Sequence, residues 1–109
     1  MVLTNDPTPP SDLLTGTTIG DFAVLAVGVT VLPGVKVGKD SLIAAGSVLT
    51  RDAEEGELYS GSPARSRGPV SSLVSRTDST QKPYPWRSRF TRGYPEEVTS
   101  LWTNDPKPR

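Results

Sequence analysis

The stretch IGDFAVLAVGVTVLPGVKVGKDSLIAAGSVLTRDAE, residues 19–54, decides the fold. Read in steps of six, one column holds Ile19, Leu25, Val31, Val37, Ile43 and Leu49, always a branched aliphatic. The next column holds Gly20, Ala26, Leu32, Gly38, Ala44 and Thr50, and most of these are tiny. The column four places after the first holds Ala23, Val29, Val35, Ser41, Ser47 and Ala53, always small or β-branched. An α-helix needs apolar residues three and four apart, which this segment does not keep. Self-similarity at a fixed period marks a repeat architecture instead. Each unit reads as a very short strand followed by a sharp corner. The aliphatic side chain points inward and stacks on its counterpart one coil above, while the small residue fits the bend. Pro33-Gly34 suits such a corner, because proline presets φ and glycine accepts φ > 0. Ile19 to Glu54 therefore read as six faces of a triangular prism, three to a coil, giving about two coils of parallel β-helix. An antiparallel meander with glycine-rich turns is the competing reading, but hairpins rarely hold one period through every turn. The default for a crossover between parallel strands is right-handed.

The rest of the composition restricts function more than fold. The chain has 109 residues, room for one small domain, with 12 basic and 12 acidic side chains. A zero formal charge gives no electrostatic ground for a nucleic-acid partner. With no cysteine, a disulfide framework and a thiolate site or nucleophile are excluded from this sequence. With no histidine, it lacks the commonest general base and the commonest metal ligand, so no metal is expected. No apolar run approaches a membrane span, and Met1 to Asp6 lacks the basic start and apolar core of a signal peptide. The expected setting is cytoplasmic, without membrane contact. Only 34% of residues are hydrophobic, against 10 glycines and 11 prolines, and most of the apolar ones lie between Ile19 and Leu49.

Ile19-Gly20-Asp21, Leu32-Pro33-Gly34-Val35, Val37-Gly38 and Ala44-Ala45-Gly46-Ser47-Val48 resemble the closing coils of the hexapeptide-repeat acyltransferases. Gly61-Ser62-Pro63-Ala64-Arg65 is similar to the Gly-Asn-Pro-Ala-Lys segment that ends the helix in that family. The resemblance covers roughly residues 3 to 70. It implies an all-β chain built on a short left-handed parallel β-helix, with an N-terminal loop and a largely irregular C-terminal tail. It also implies a homotrimer whose subunits bind acetyl-CoA in the groove between neighbours. The pantetheine arm would run beside the small corner residues, which places Ala26, Gly28, Ala44, Ala45 and Ser47 as cofactor contacts. Arg51, Arg65 and Arg67 are candidates for the CoA phosphates, since a guanidinium donates in a fork. Pro63 and Ala64 would offer an apolar surface to the adenine.

Thr4-Asn5-Asp6-Pro7, followed by Pro9-Pro10, resembles a loop of the nucleotide-sugar N-acetyltransferase branch. Sugar O-acetyltransferases often carry a catalytic histidine in the equivalent region, because an alcohol needs a base to remove its proton. An unprotonated amine attacks a thioester without one. Asn5 then holds the acceptor or the thioester oxygen by hydrogen bonds, and Asp6 orients the amine or accepts its proton. Backbone N–H groups of the coil are further candidates for polarising the carbonyl. The expected function is acetyl-CoA-dependent N-acetylation of an amino group on a nucleotide-linked or cell-envelope sugar.

Three segments follow: an N-terminal strand and Asn-Asp-Pro loop (1–18), the repeat helix with its exit (19–70), and a tail (71–109). Prolines at 83, 85, 95, 106 and 108 exclude a long helix from the tail. A short helix is expected around Pro95 to Trp102, with proline and two glutamates in its first turn. Trp86, Phe90, Tyr94, Leu101 and Trp102 are the tail's apolar anchors, placed to cap an open end of the prism or a neighbouring subunit. Family members usually carry more coils ahead of the Asn-Asp-Pro loop, and repeat arrays generally need three or more units. A non-catalytic remnant that only trimerises or supports a partner chain is therefore the alternative. A γ-type carbonic anhydrase, which shares this helix, needs histidine ligands that the sequence lacks.

Overall fold

The computed structural model describes residues 1–7, 12–74, 82–84 and 94–103. Seven two-residue strands open the chain: β1 (Val2–Leu3), β2 (Thr18–Ile19), β3 (Val24–Leu25), β4 (Thr30–Val31), β5 (Lys36–Val37), β6 (Leu42–Ile43) and β7 (Val48–Leu49). Two longer ones follow, β8 (Glu57–Gly61) and β9 (Ala64–Pro69), then a single 3₁₀ turn at Val70–Ser72. β1 to β4 and β6 each pair in parallel with a strand one coil later. Thr18 lies beside Lys36, Val24 beside Leu42 and Thr30 beside Val48, an advance of 18 residues each time. Three sheets result, and they are the three faces of the prism. Face one is β1-β4-β7, face two is β2-β5 extended by a bridge from Val37 to Ala53, and face three is β3-β6-β8-β9.

The six-residue columns mean what their chemistry suggests. Val31, Val37, Ile43 and Leu49 are buried, and so are Val29, Val35, Ser41, Ser47 and Ala53. Both columns therefore fill the narrow interior, where two hydroxyls need partners. Each finds one in its own corner: Ser41 Oγ donates to the Gly38 carbonyl at 2.6 Å, and Ser47 Oγ to the Ala44 carbonyl at 2.7 Å. Fully burying one of these aliphatic side chains contributes about 1.5–3 kcal/mol.

The five corners from Gly20–Ala23 to Ala44–Ser47 repeat one turn. The amides of Ala23, Val29, Val35, Ser41 and Ser47 donate to the carbonyl three residues back, at 3.2 to 3.4 Å. The residue before each of them has positive φ: Phe22 (57°), Gly28 (74°), Gly34 (76°), Asp40 (59°) and Gly46 (74°). This left-handed residue is two places after the small column that sequence reading assigned to the bend.

The first strand belongs to the prism, since Val2 pairs with Thr30 and Leu3 with Val31. The far end carries a hairpin. β9 runs antiparallel on β8, and Val70, fully buried, donates its amide to the Gly56 carbonyl at 2.8 Å. The expected tail helix is present as α1 (Glu96–Thr103), with the Val98 and Thr99 amides on the Pro95 carbonyl. The capping role expected of Trp86 and Phe90, and of the Trp102 side chain, lies outside the described residues, as do Pro9 and Pro10.

Candidate functional site

The three corners differ although the same turn recurs at each of them. The first corner, between faces one and two, stacks Asn5 under Leu32-Pro33-Gly34 and these under Thr50-Arg51-Asp52. The second, between faces two and three, stacks Gly20-Asp21-Phe22 under Gly38-Lys39-Asp40. The third, between faces three and one, stacks Ala26-Val27-Gly28 under Ala44-Ala45-Gly46, with the β8–β9 turn at Gly61–Ala64 above.

The third corner therefore gathers most of the expected cofactor residues. Ala26 and Ala44 are half-buried, and Gly28, Ala45 and Pro63 are exposed. Two of the expected contacts turn inward. Ser47 is interior, its hydroxyl held by Ala44 and accepting the Gly61 amide at 3.3 Å, and Ala64 is buried in the core cluster. Arg65 is exposed beside the hairpin turn, its guanidinium donating to the Ala64 carbonyl at 3.3 Å. Arg67 is engaged across the hairpin, with Nε on Ser60 Oγ at 2.8 Å and Nη2 on the Ser60 carbonyl at 3.3 Å. Arg51 is exposed and stands at the first corner, one face away.

The outer surface of the third corner is open. A Cβ added at Gly46 meets nothing within 4 Å, and one at Gly28 meets only Gly46 backbone at 3.8 Å. The second corner is closed: a Cβ at Gly38 would lie 2.6 Å from the Ala53 carbonyl oxygen and from the Glu55 amide. Glycine is thus forced by neighbouring backbone at one corner and leaves free room at the other. Val27, at the tip of that ridge, is 82% exposed. Val27 and Gly46 were missed by reading columns of six. Gly46 was findable from the coil period, since it stands 18 residues after Gly28.

Asn5 and Asp6 lie at the first corner, where the chain leaves β1. Asn5 is exposed and Asp6 half-buried. The loop closes on itself, with the Thr15 amide donating to the Asn5 carbonyl at 2.8 Å. One chain thus brings the small residues together and brings Asn5, Asp6 and Arg51 to a shared corner, with face one between the two groups.

A prism of two-residue strands, 18 residues to the coil and a left-handed corner every six, defines a hexapeptide-repeat β-helix. Residues 16–51 match the family described as "Bacterial transferase hexapeptide (six repeats)". The Saccharomyces cerevisiae protein YJL218W, which carries an acetyltransferase assignment, is 42% identical over 67 residues, covering 62% of this chain and 32% of its own. A hexapeptide-repeat acetyltransferase from Vibrio cholerae, solved with acetyl-CoA, is 30% identical with a TM-score of 0.51, covering 52% of this chain and 31% of its own. The polysialic-acid-specific acetyltransferase NeuO, at 22% identity, shares the fold over 94% of this chain and 43% of its own, with a TM-score of 0.62. These structures are left-handed β-helices, and the coil here has the same hand, against the right-handed default. The chain spans about a third of the length of the first two.

Proposed function

We propose that this chain is part of an acetyl-CoA-dependent acyltransferase that N-acetylates an amino sugar, nucleotide-linked or of the cell envelope, in the cytoplasm. The observation that carries the reading is the open third corner. Its small residues leave open space along the ridge, where a Cβ added at Gly46 meets nothing within 4 Å and a pantetheine arm would have room. Exposed Arg65 beside the ridge suits a phosphate, and Pro63 suits a flat apolar ring. The family likeness supports the same co-substrate.

Acetyl-CoA supplies a thioester: the acceptor nitrogen forms a bond to the acetyl carbon as the carbon–sulfur bond breaks, and the thiol leaves with the proton that the amine gives up. The described part of the loop holds an amide and a carboxylate, Asn5 and Asp6, and no residue between 5 and 14 is a histidine. The Asn5 amide donates to the acceptor or to the thioester oxygen, and Asp6 orients the amine or accepts its proton and passes it to the departing sulfur. This suits an amine better than an alcohol, whose oxygen must lose its proton as it attacks.

Face one separates the Asn5 corner from the ridge, so one prism does not complete the site. A homotrimer with the first corner of one subunit against the third corner of the next completes it. The second reading is a non-catalytic segment that only trimerises. It draws on one observation: β1, β2 and β3 end their sheets with no strand beneath them among the described residues.

The test is thiol release from acetyl-CoA in the presence of nucleotide-linked amino sugars and their hydroxyl analogues. The amine is expected to support turnover and the hydroxyl analogue to fail, and Asn5→Ala is expected to lower kcat about 100-fold, as when one oxyanion donor is lost. Equal use of the hydroxyl analogue would sink the N-transfer reading. Full activity of Asn5→Ala would remove Asn5 from the site, and no thiol release with any acceptor would leave the trimerising segment.

A further inference from the structure

Two threonines at the base of the Asn-Asp-Pro loop make contacts that the coil does not need. Thr4 donates its amide to the Val31 carbonyl at 3.1 Å, the bond that continues face one. Its hydroxyl donates to the same carbonyl at 2.9 Å. A carbonyl oxygen has two lone pairs, so both donors are accommodated. The backbone bond alone satisfies the ladder, and the hydroxyl bond is additional. Two donors from one residue on one acceptor fix the orientation of Thr4, and with it the direction in which Asn5 leaves the strand. The acceptor is rigid, because Val31 is fully buried in the centre of face one.

The returning end of the loop is held at the same corner. The Thr15 amide donates to the Asn5 carbonyl at 2.8 Å, so Asn5 is tied to the residue where the loop re-enters the helix. Thr15 lies against Gly34, the left-handed residue of the corner directly above. A Cβ at Gly34 would lie 3.0 Å from Thr15 Cγ2, closer than side chains normally approach. Thr15 is thus seated in the space that glycine leaves. Both ends of the loop take their position from the buried β4 and its corner.

We propose that Thr4 is a positioning residue for Asn5, its hydroxyl clamping the exit of the Asn-Asp-Pro loop onto the Val31 carbonyl so that Asn5 is held at a fixed height beside the first corner. The role rests on the reading of Asn5 as a substrate-binding residue. A misplacement of about 1 Å in such a residue costs up to roughly 100-fold in rate.

The experiment compares full-length wild type, Thr4→Val and Thr4→Ser by amide hydrogen exchange and by steady-state kinetics. Thr4→Val keeps the shape and removes only the hydroxyl, and Thr4→Ala serves if valine disturbs packing. In the valine variant, exchange at the Thr15 amide is expected to rise about tenfold, with the ladder amides of Gly20 and Leu32 unchanged, as local opening predicts. The kcat is expected to fall about tenfold with KM for acetyl-CoA unchanged, the signature of a lost transition-state contact. Thr4→Ser restores both. Unchanged Thr15 exchange in Thr4→Val overturns the clamp, and so does a rise spread over the whole ladder, which would make the hydroxyl a support of the coil. Altered exchange at Thr15 with unchanged kcat, where Asn5→Ala is crippled, shows a clamp that does not position Asn5 and overturns the role. If Asn5→Ala is silent as well, the reading of Asn5 falls and the positioning role falls with it. The exchange data tell these two failures apart.

Discussion

The second and third corners of the prism are built from the same turn and carry glycine for different reasons. At the second corner, Gly38 sits where the backbone of the next coil passes, with the Ala53 carbonyl and the Glu55 amide in the place of any side chain. At the third corner, Gly46 has φ of +74° and empty space around it. The first glycine is demanded by packing between coils. The second is demanded by local backbone conformation, and the room it leaves is available to something outside the chain. A repeat thus specifies its fold at every corner and leaves one corner open.

The comparison can be broken or sharpened by substitution, read as stability from chemical denaturation. Ile43→Ala removes a fully buried side chain shared by both corners, and about 3 kcal/mol of destabilisation is expected. A cost below about 1 kcal/mol would mean that the prism interior is not the common support of the corners. Gly38→Ala drives a methyl into backbone that has little freedom to move, with an expected cost of about 2 kcal/mol. Gly46→Ala is expected to cost about 1 kcal/mol, because only the left-handed conformation opposes it. Equal costs for the two glycines would erase the distinction between closed and open corners. Val27→Ser, at the tip of the open corner, is expected to change stability by less than about 0.5 kcal/mol. A larger loss would show that the ridge is covered in solution, as it is when a neighbouring subunit packs there.

The prism was legible because its signal lies in side-chain volume: branched aliphatics from Leu25 to Leu49 repeat without a gap. The left-handed column was not, because Phe22 and Asp40 occupy two of its five places and hide the glycines at the others. β9 was missed for a related reason. Arg65, Ser66 and Arg67 are exposed and polar, so pairing with β8 leaves no apolar alternation to read. Corner membership was only half visible. Spacing places Ala26 and Ala44 together, but Ser47, also a small residue of that stretch, turns inward because its column faces the core. The clamp at Thr4 and Thr15 was invisible to sequence reading, since its bonds end on main-chain carbonyls far away in the chain.

The central claim is that the open corner binds acetyl-CoA. Calorimetric titration of acetyl-CoA into the wild-type chain and Gly46→Ala, at concentrations where the oligomeric state is known, tests it directly. The account predicts saturable binding near one site per subunit, weakened about tenfold (about 1.4 kcal/mol) when the alanine methyl enters the ridge. Binding of equal strength in both proteins, or no binding by the folded wild type, would contradict it.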